Sequence, residues 1–154
     1  MELQKYEQIK AGFVDWLEPY NWNWWGTLEF SPQKPLKDPI RAKKYFTDYV
    51  KNNLDQPDQP WCSYFMSVEH FKSNFFTHIH FMLSGICEGL SEKNAGKAIG
   101  GPWWKKYGGY CYLQKFDSKL GAAGYLAKYV TKDLCDWDIR VKPEHRKDYF
   151  LFGG

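Results

Sequence analysis

Trp61-Cys62-Ser63-Tyr64-Phe65-Met66-Ser67-Val68-Glu69-His70-Phe71 is followed, after the polar link Lys72-Ser73-Asn74, by Phe75-Phe76-Thr77-His78-Ile79-His80-Phe81-Met82-Leu83-Ser84. Both apolar runs read as strands, Trp61–Phe71 and Thr77–Ser84. The short link predicts a hairpin and so an antiparallel pair. Side chains alternate across a strand. His78 and His80 therefore share one face, and Ile79, Phe81 and Leu83 share the other, which reads as the core side. On the partner strand Cys62, Tyr64, Met66, Val68 and His70 form the more apolar set and are expected to face the core. Trp61, Ser63, Phe65, Ser67 and Glu69 then share the opposite face, with Glu69 beside the two imidazoles.

Outward from the hairpin, residues 1–20 carry Leu3, Tyr6, Ile9, Phe13, Trp16 and Leu17 at helical spacing. Asn21–Phe30 reads as a strand, broken by Ser31-Pro32-Gln33-Lys34-Pro35. Asp38 suits a helix N-cap with Pro39 at the first position, and Ile40, Tyr45, Phe46, Tyr49, Val50 and Leu54 are directed to a core. Residues 55–60 form a loop. Residues 86–108 are Gly-rich, with one helix expected around 91–99. Tyr110–Phe116 reads as a fourth strand, and a helix begins near Ser118 and runs to about Asp133. The tail from Trp137 to Gly154 carries no clear signal; its abrupt end suits the N-terminal piece of a longer protein. The order α-β-α-β-β-(α)-β-α predicts one α+β sandwich domain over residues 1–154.

Composition narrows the class. The 154 residues include 8 Trp, 11 Tyr and 11 Phe, with 25% charged residues, which excludes low-complexity disorder. No apolar run approaches the ~20 residues that span a bilayer, and the N-terminus lacks a signal-peptide pattern. A soluble cytoplasmic protein is expected. Cys62, Cys87, Cys111 and Cys135 are far apart in sequence, which predicts reduced, mostly buried thiols rather than a zinc knuckle. Net charge is +3, yet eight lysines and one acid lie between Lys93 and Lys132. That basic stretch also holds Trp103, Trp104, Tyr107, Tyr110 and Tyr112. Cations for phosphates and flat rings for bases are what single-stranded nucleic acid requires. Lys105, Lys106, Trp103, Trp104, Lys115 and Tyr110 are the candidate DNA contacts; a solvated lysine surface over core aromatics is the alternative.

Two patterns carry chemistry. His78 and His80 with Glu69 offer two imidazoles and a carboxylate with open positions, a set that suits catalytic Mg²⁺ or Mn²⁺. His70 is the competing third ligand. The second pattern is Tyr125-Leu126-Ala127-Lys128-Tyr129-Val130-Thr131-Lys132, in which the tyrosines are four apart on one helical face and each has a lysine three residues on. Tyrosine ionises near ~10 and needs neighbouring cations to attack at neutral pH. Read alone, the helix is an amphipathic packing element, its tyrosines packing and its lysines serving solubility.

Together, His78-Ile79-His80 and Tyr125-x-x-Lys128-Tyr129-x-x-Lys132 resemble the HUH endonucleases, specifically rolling-circle replication initiators, and the tyrosine block is nearest their two-tyrosine members. Trp24-Trp25-Gly26-Thr27-Leu28-Glu29-Phe30 is similar to the family's first motif, and Trp103-x-Lys105-x-x-Gly108 before a strand also has the family's look. The resemblance covers roughly residues 22–133. It departs at Glu29, where a small or hydroxylated residue is common, and in lacking a helicase segment. It implies a ferredoxin-like (RRM-like) core with a central antiparallel sheet of four to five strands and helices mainly on one face. It also implies metal-dependent nicking of single-stranded or hairpin origin DNA by Tyr125 or Tyr129, with Tyr125 placed slightly ahead. The products are a 5′-phosphotyrosine and a free 3′-OH; Lys128 and Lys132 would assist, and a host helicase is the expected protein partner. A single-strand transposase, a relaxase and a non-catalytic single-strand-binding domain are the rival readings.

Overall fold

The computed structural model describes residues 2–55, 57, 61–129 and 134–149. Five strands form one antiparallel sheet: β1 (Trp24–Glu29), β2 (Ser63–His70), β3 (Thr77–Ser84), β4 (Cys111–Lys115) and β5 (Leu134–Arg140). Their order is β4-β1-β3-β2-β5. The helices are α1 (Glu2–Leu17), α2 (Pro39–Tyr49), α3 (Glu92–Tyr107) and α4 (Gly121–Tyr129). From β1 to β4 the chain runs β-α-β-β-α-β, the ferredoxin-like arrangement, so the α+β sandwich expected from the element order is the fold. None of the described helices is long and apolar enough to cross a membrane.

The hairpin alternates as its sequence requires. Tyr64, Met66, Val68, Ile79, Phe81 and Leu83 lie in one cluster with Phe46, Tyr49 and Val50 of the α2 segment and Ala95, Ile99 and Trp103 of α3. The opposite face buries Phe65 and Met82 under Phe13 and Leu17 of α1 and Ala122, Tyr125 and Leu126 of α4. Helices therefore cover both faces, two on each, which amends the expectation of helices mainly on one. The sheet carries apolar residues on both sides at the Trp25–Met82–Phe65 end, and one helical layer cannot bury both.

Asp38 caps α2 as expected, its carboxylate accepting from the Ile40 amide at 3.0 Å. Ile40 itself is exposed, as are Ile9 and Trp16, although helical spacing had placed all three inward. Trp16 leans on Trp137 of β5 from outside the cluster. Helix α3 runs past the expected stop at 99 to Tyr107, through Pro102, and ends on Gly108 at φ 66°, a left-handed value that favours glycine. Ser91 caps its start by accepting from the Asn94 amide at 3.1 Å. Gly26 is needed where β1 passes under the Phe81 ring: a Cβ there would lie 2.8 Å from Phe81 and 2.3 Å from the Tyr112 carbonyl. All four cysteines are free; Cys62 is buried and Cys135 exposed. Burial pushes the Cys62 thiol up to about 11 and the Cys111 thiol up to about 12, so neither is a thiolate at neutral pH.

Candidate metal centre and nucleic-acid interface

The hairpin register places Glu69 opposite His78 and Ser67 opposite His80. Residues directly opposed in an antiparallel pair project to the same side. On the other side of β2 the pairing with β5 shifts by one residue, Val68 opposing Asp136 and Glu69 opposing Leu134, so the irregularity lies at Cys135 of β5 and the β2–β3 register is unbroken. One Glu69 oxygen lies 3.5 Å from His78 Nε2 and 3.1 Å from His80 Nε2. Glu69, His78 and His80 each present a ligand atom, all within 4.8 Å of one another, so the three could hold a metal ion. Glu69 and His78 are buried and His80 is partly open. A carboxylate so enclosed must be compensated, here by imidazole N–H groups or by a cation.

His70 is not part of this group. It lies on the opposite face, where Nε2–H donates to the Lys37 carbonyl at 3.0 Å and Nδ1 sits 3.3 Å from the Cys135 sulfur. Alternation thus places Glu69, and not His70, beside His78 and His80.

The surroundings test whether the group fits a cation. Thr27 of β1 pairs with His80, and its hydroxyl lies 3.0 Å from His80 Nδ1. Occupying Nδ1 in this way leaves Nε2, the nitrogen facing Glu69, as the metal-binding atom, as outer-sphere partners of ligating histidines commonly do. Phe71 stacks on the His78 ring at 4.2 Å, shielding it from water. His78 Nδ1 and Ser67 Oγ are buried without a hydrogen-bond partner among the described residues. Two neutral-capable imidazoles, one carboxylate and orphaned polar atoms around them fit a divalent ion. Thr27 was visible only as part of a motif; its role depends on the β1–β3 register, which local pattern does not fix. Thr27→Val should keep the fold and weaken Mn²⁺ binding by about 10–100-fold, the usual cost of losing such a partner. Isothermal titration of both proteins with MnCl₂ measures it; equal affinities would remove Thr27 from the centre.

The tyrosine helix reaches the same face. Tyr125 is 5% exposed, its ring stacked on Phe116 at 4.4 Å and tilted against Trp25 at 5.3 Å. Its hydroxyl oxygen accepts from the Asp117 amide at 2.6 Å. Tyr125 and His80 line one crevice of about 20 Å³, room for about one water. Helix α4 ends at Tyr129, four residues after Tyr125. The side chains of Lys128 and Tyr129, and Lys132 as a whole, lie outside the described residues.

The aromatic candidates separate by helical phase. Trp103 is fully buried, and its Nε1–H donates to the Glu29 carbonyl at 2.8 Å. It is a core residue, and its assignment to DNA is corrected. Trp104, Tyr110 and Tyr112 are 52%, 54% and 56% exposed. Trp104 lies 5.3 Å from Tyr110, and Tyr110 lies 6.2 Å from Tyr112. Tyr112 pairs with Thr27 and so projects to the metal-centre face. The three rings run from the end of α3 around the β4 edge toward the centre; Lys93 and Lys97 line the groove beside Trp104 and Tyr110, whereas the exposed Lys105 and Lys106 lie beside Asn53, and Lys115 is exposed on β4. Exposed rings in a row, 5.3 and 6.2 Å apart, with Lys93 and Lys97 beside the first two, can stack unpaired bases. Trp103→Ala should cost about 3–5 kcal/mol of stability. Trp104→Ala should leave the melt unchanged and weaken single-stranded DNA binding by about 1–3 kcal/mol. Thermal melts and fluorescence anisotropy check the pair; a stable Trp103→Ala would contradict the packing.

The chain matches no protein-family model and no curated protein. The activity therefore has to be argued from the site itself.

Proposed function

We propose that the chain is a metal-dependent single-stranded DNA nicking and joining enzyme of the HUH kind. The observation that carries this reading is the Glu69–His78–His80 group on the sheet face that also receives Tyr125 of α4 and the Tyr112 end of the exposed aromatic strip. A divalent cation held by these three residues would act as a Lewis acid on a scissile phosphate. DNA lying along Trp104, Tyr110 and Tyr112 enters this face from the β4 edge, bases on the rings and phosphates toward the lysines.

A tyrosine oxygen attacks phosphorus, the bond to the upstream 3′ oxygen breaks, and that oxygen takes a proton to become a 3′-OH. The downstream strand remains on the tyrosine as a 5′-phosphate ester. The reverse attack rejoins strands without an energy source, because the phosphodiester is exchanged and not hydrolysed. For Tyr125 to attack, its ring must leave the α1–α4 cluster and its hydroxyl must release the Asp117 amide. Attack by Tyr129 does not break that bond, and this moves first place from Tyr125 to Tyr129. Tyr125 then either supports the helix or serves as the second nucleophile. Rolling-circle initiation uses this chemistry.

The test is formation of a covalent protein–DNA species from a randomised single-stranded oligonucleotide with Mn²⁺. A species carrying the label of 3′-labelled but not 5′-labelled DNA is expected, and EDTA should abolish it. Binding with no covalent species in Mn²⁺, the DNA left intact, would support the rival single-strand-binding domain.

A further inference from the structure

Beside the metal centre, at the open end of β1, lies a second cleft of about 260 Å³. It is smaller than the ~300–1,000 Å³ of sites for drug-sized ligands. Its walls include Phe30, Pro32, Phe71 and Phe76, with Glu29, Ser31, Asn74 and Thr77 as polar groups; the Ser31 hydroxyl donates to Gln33 Oε1 and the Thr77 hydroxyl to the Leu36 carbonyl. Phe71 joins it to the centre, since the same ring stacks on His78. Glu29 pairs across β1–β3 with His78 and so projects to the same sheet face. The Glu29 side chain is half-buried, and no described residue bonds or pairs with its carboxylate. A carboxylate placed among aromatic walls without a protein partner is available to a ligand that supplies donors.

The donor pattern selects the ligand. A carboxylate only accepts, and its two oxygens match two donors side by side. Among unpaired bases, guanine alone offers that pair on its Watson–Crick edge, the ring N1–H beside the exocyclic N2 amino group. Asn74 uses its side-chain oxygen to accept from the Phe76 amide at 2.9 Å, which leaves its NH₂ as a donor on the same cleft for the adjacent guanine O6. Lys37 stands over the Phe76 ring at 5.6 Å, and Lys34 and Lys72 are exposed on the same loops. They supply positive charge for the flanking phosphates.

We infer that this cleft holds one unpaired guanine of the DNA next to the scissile position, read by Glu29. The inference rests on the nicking reading above, because it takes the ligand to be single-stranded DNA. Glu29 makes it a specificity residue, whereas the Trp104–Tyr110–Tyr112 strip stacks any base.

Selection separates the two claims. The full chain, in EDTA and at one fixed salt concentration, is incubated with a randomised 12-nucleotide single-stranded pool, and the retained DNA is sequenced. One position should be fixed as guanine. Replacing that guanine by inosine, which lacks the N2 amino group, should weaken binding about tenfold, within the ~1–3 kcal/mol of a good bidentate contact. Glu29→Gln should relax that position alone and erase the guanine–inosine difference, while Glu29→Asp keeps the preference. Because the Glu29 carboxylate has no described partner, both variants should melt as the parent does. Retained DNA with no fixed guanine, or an unchanged motif in Glu29→Gln, overturns the guanine site and leaves the nicking reading standing. No DNA retained by the parent chain overturns the nicking reading as well.

Discussion

With both Tyr125 and Tyr129 replaced by phenylalanine, the covalent protein–DNA species disappears, while binding of single-stranded DNA remains. Phenylalanine keeps the ring that packs on Phe116 and Trp25 but removes the oxygen that attacks. Deleting the nucleophile of a covalent enzyme costs on the order of 10⁶ in rate, which leaves nothing on a gel. Tyr129→Phe alone should account for most of the loss. Tyr125→Phe removes the acceptor of the Asp117 amide bond and should lower the melting temperature, with the adduct reduced and not abolished. The measurement is a denaturing gel with 3′-labelled DNA and Mn²⁺, run beside a thermal melt of each variant. An adduct that persists in the double variant ends the tyrosine mechanism. An adduct lost only with Tyr125→Phe would mean that α4 shifts to free the buried ring.

The parts of this structure that could be read in advance are those where local pattern and tertiary demand agree. Two-residue alternation in β2 and β3 put Glu69, His78 and His80 on one face and His70 on the other, and the register matches. Asp38-Pro39 announced α2 because the cap is a contact within three residues. What failed depended on distant partners. β5 carries Asp136, Asp138 and Arg140, which resemble a loop until Lys43, Tyr64 and Asp55 are found to satisfy them. Gly100, Gly101 and Pro102 look like helix breakers, yet α3 continues because Ile99 and Trp103 bury against the sheet and Gly100 lets Cys111 approach. The Trp103–Trp104 pair is a matter of phase: one residue of helical rotation separates a core ring from an exposed one. The Thr27 contact to His80 needed the β1–β3 register, which pairs residues 53 apart in sequence.

The metal centre makes the second large prediction, and it decides between Glu69 and His70. A ligand that binds only the folded chain stabilises it by about 2.7 kcal/mol at a concentration 100 times its dissociation constant. At ~2–4 °C per kcal/mol for a domain near this size, saturating Mn²⁺ should raise the melting temperature by about 5–10 °C. Glu69→Gln keeps the shape of the side chain and an acceptor oxygen for the imidazole N–H groups, so the metal-free variant should fold. It loses the charge that draws a cation between His78 and His80, and both the Mn²⁺ shift and the covalent adduct should fall to the EDTA level. His70→Gln breaks the contacts to the Lys37 carbonyl and Cys135 on the far face and should lower the metal-free melting temperature. Its Mn²⁺ shift should nevertheless equal that of the parent, because His70 contributes no atom to the three-residue group. A shift that survives Glu69→Gln, or vanishes in His70→Gln, would mean that the buried carboxylate serves only to tie two imidazoles together. The cation, and with it the phosphate, would then have to sit elsewhere on the sheet.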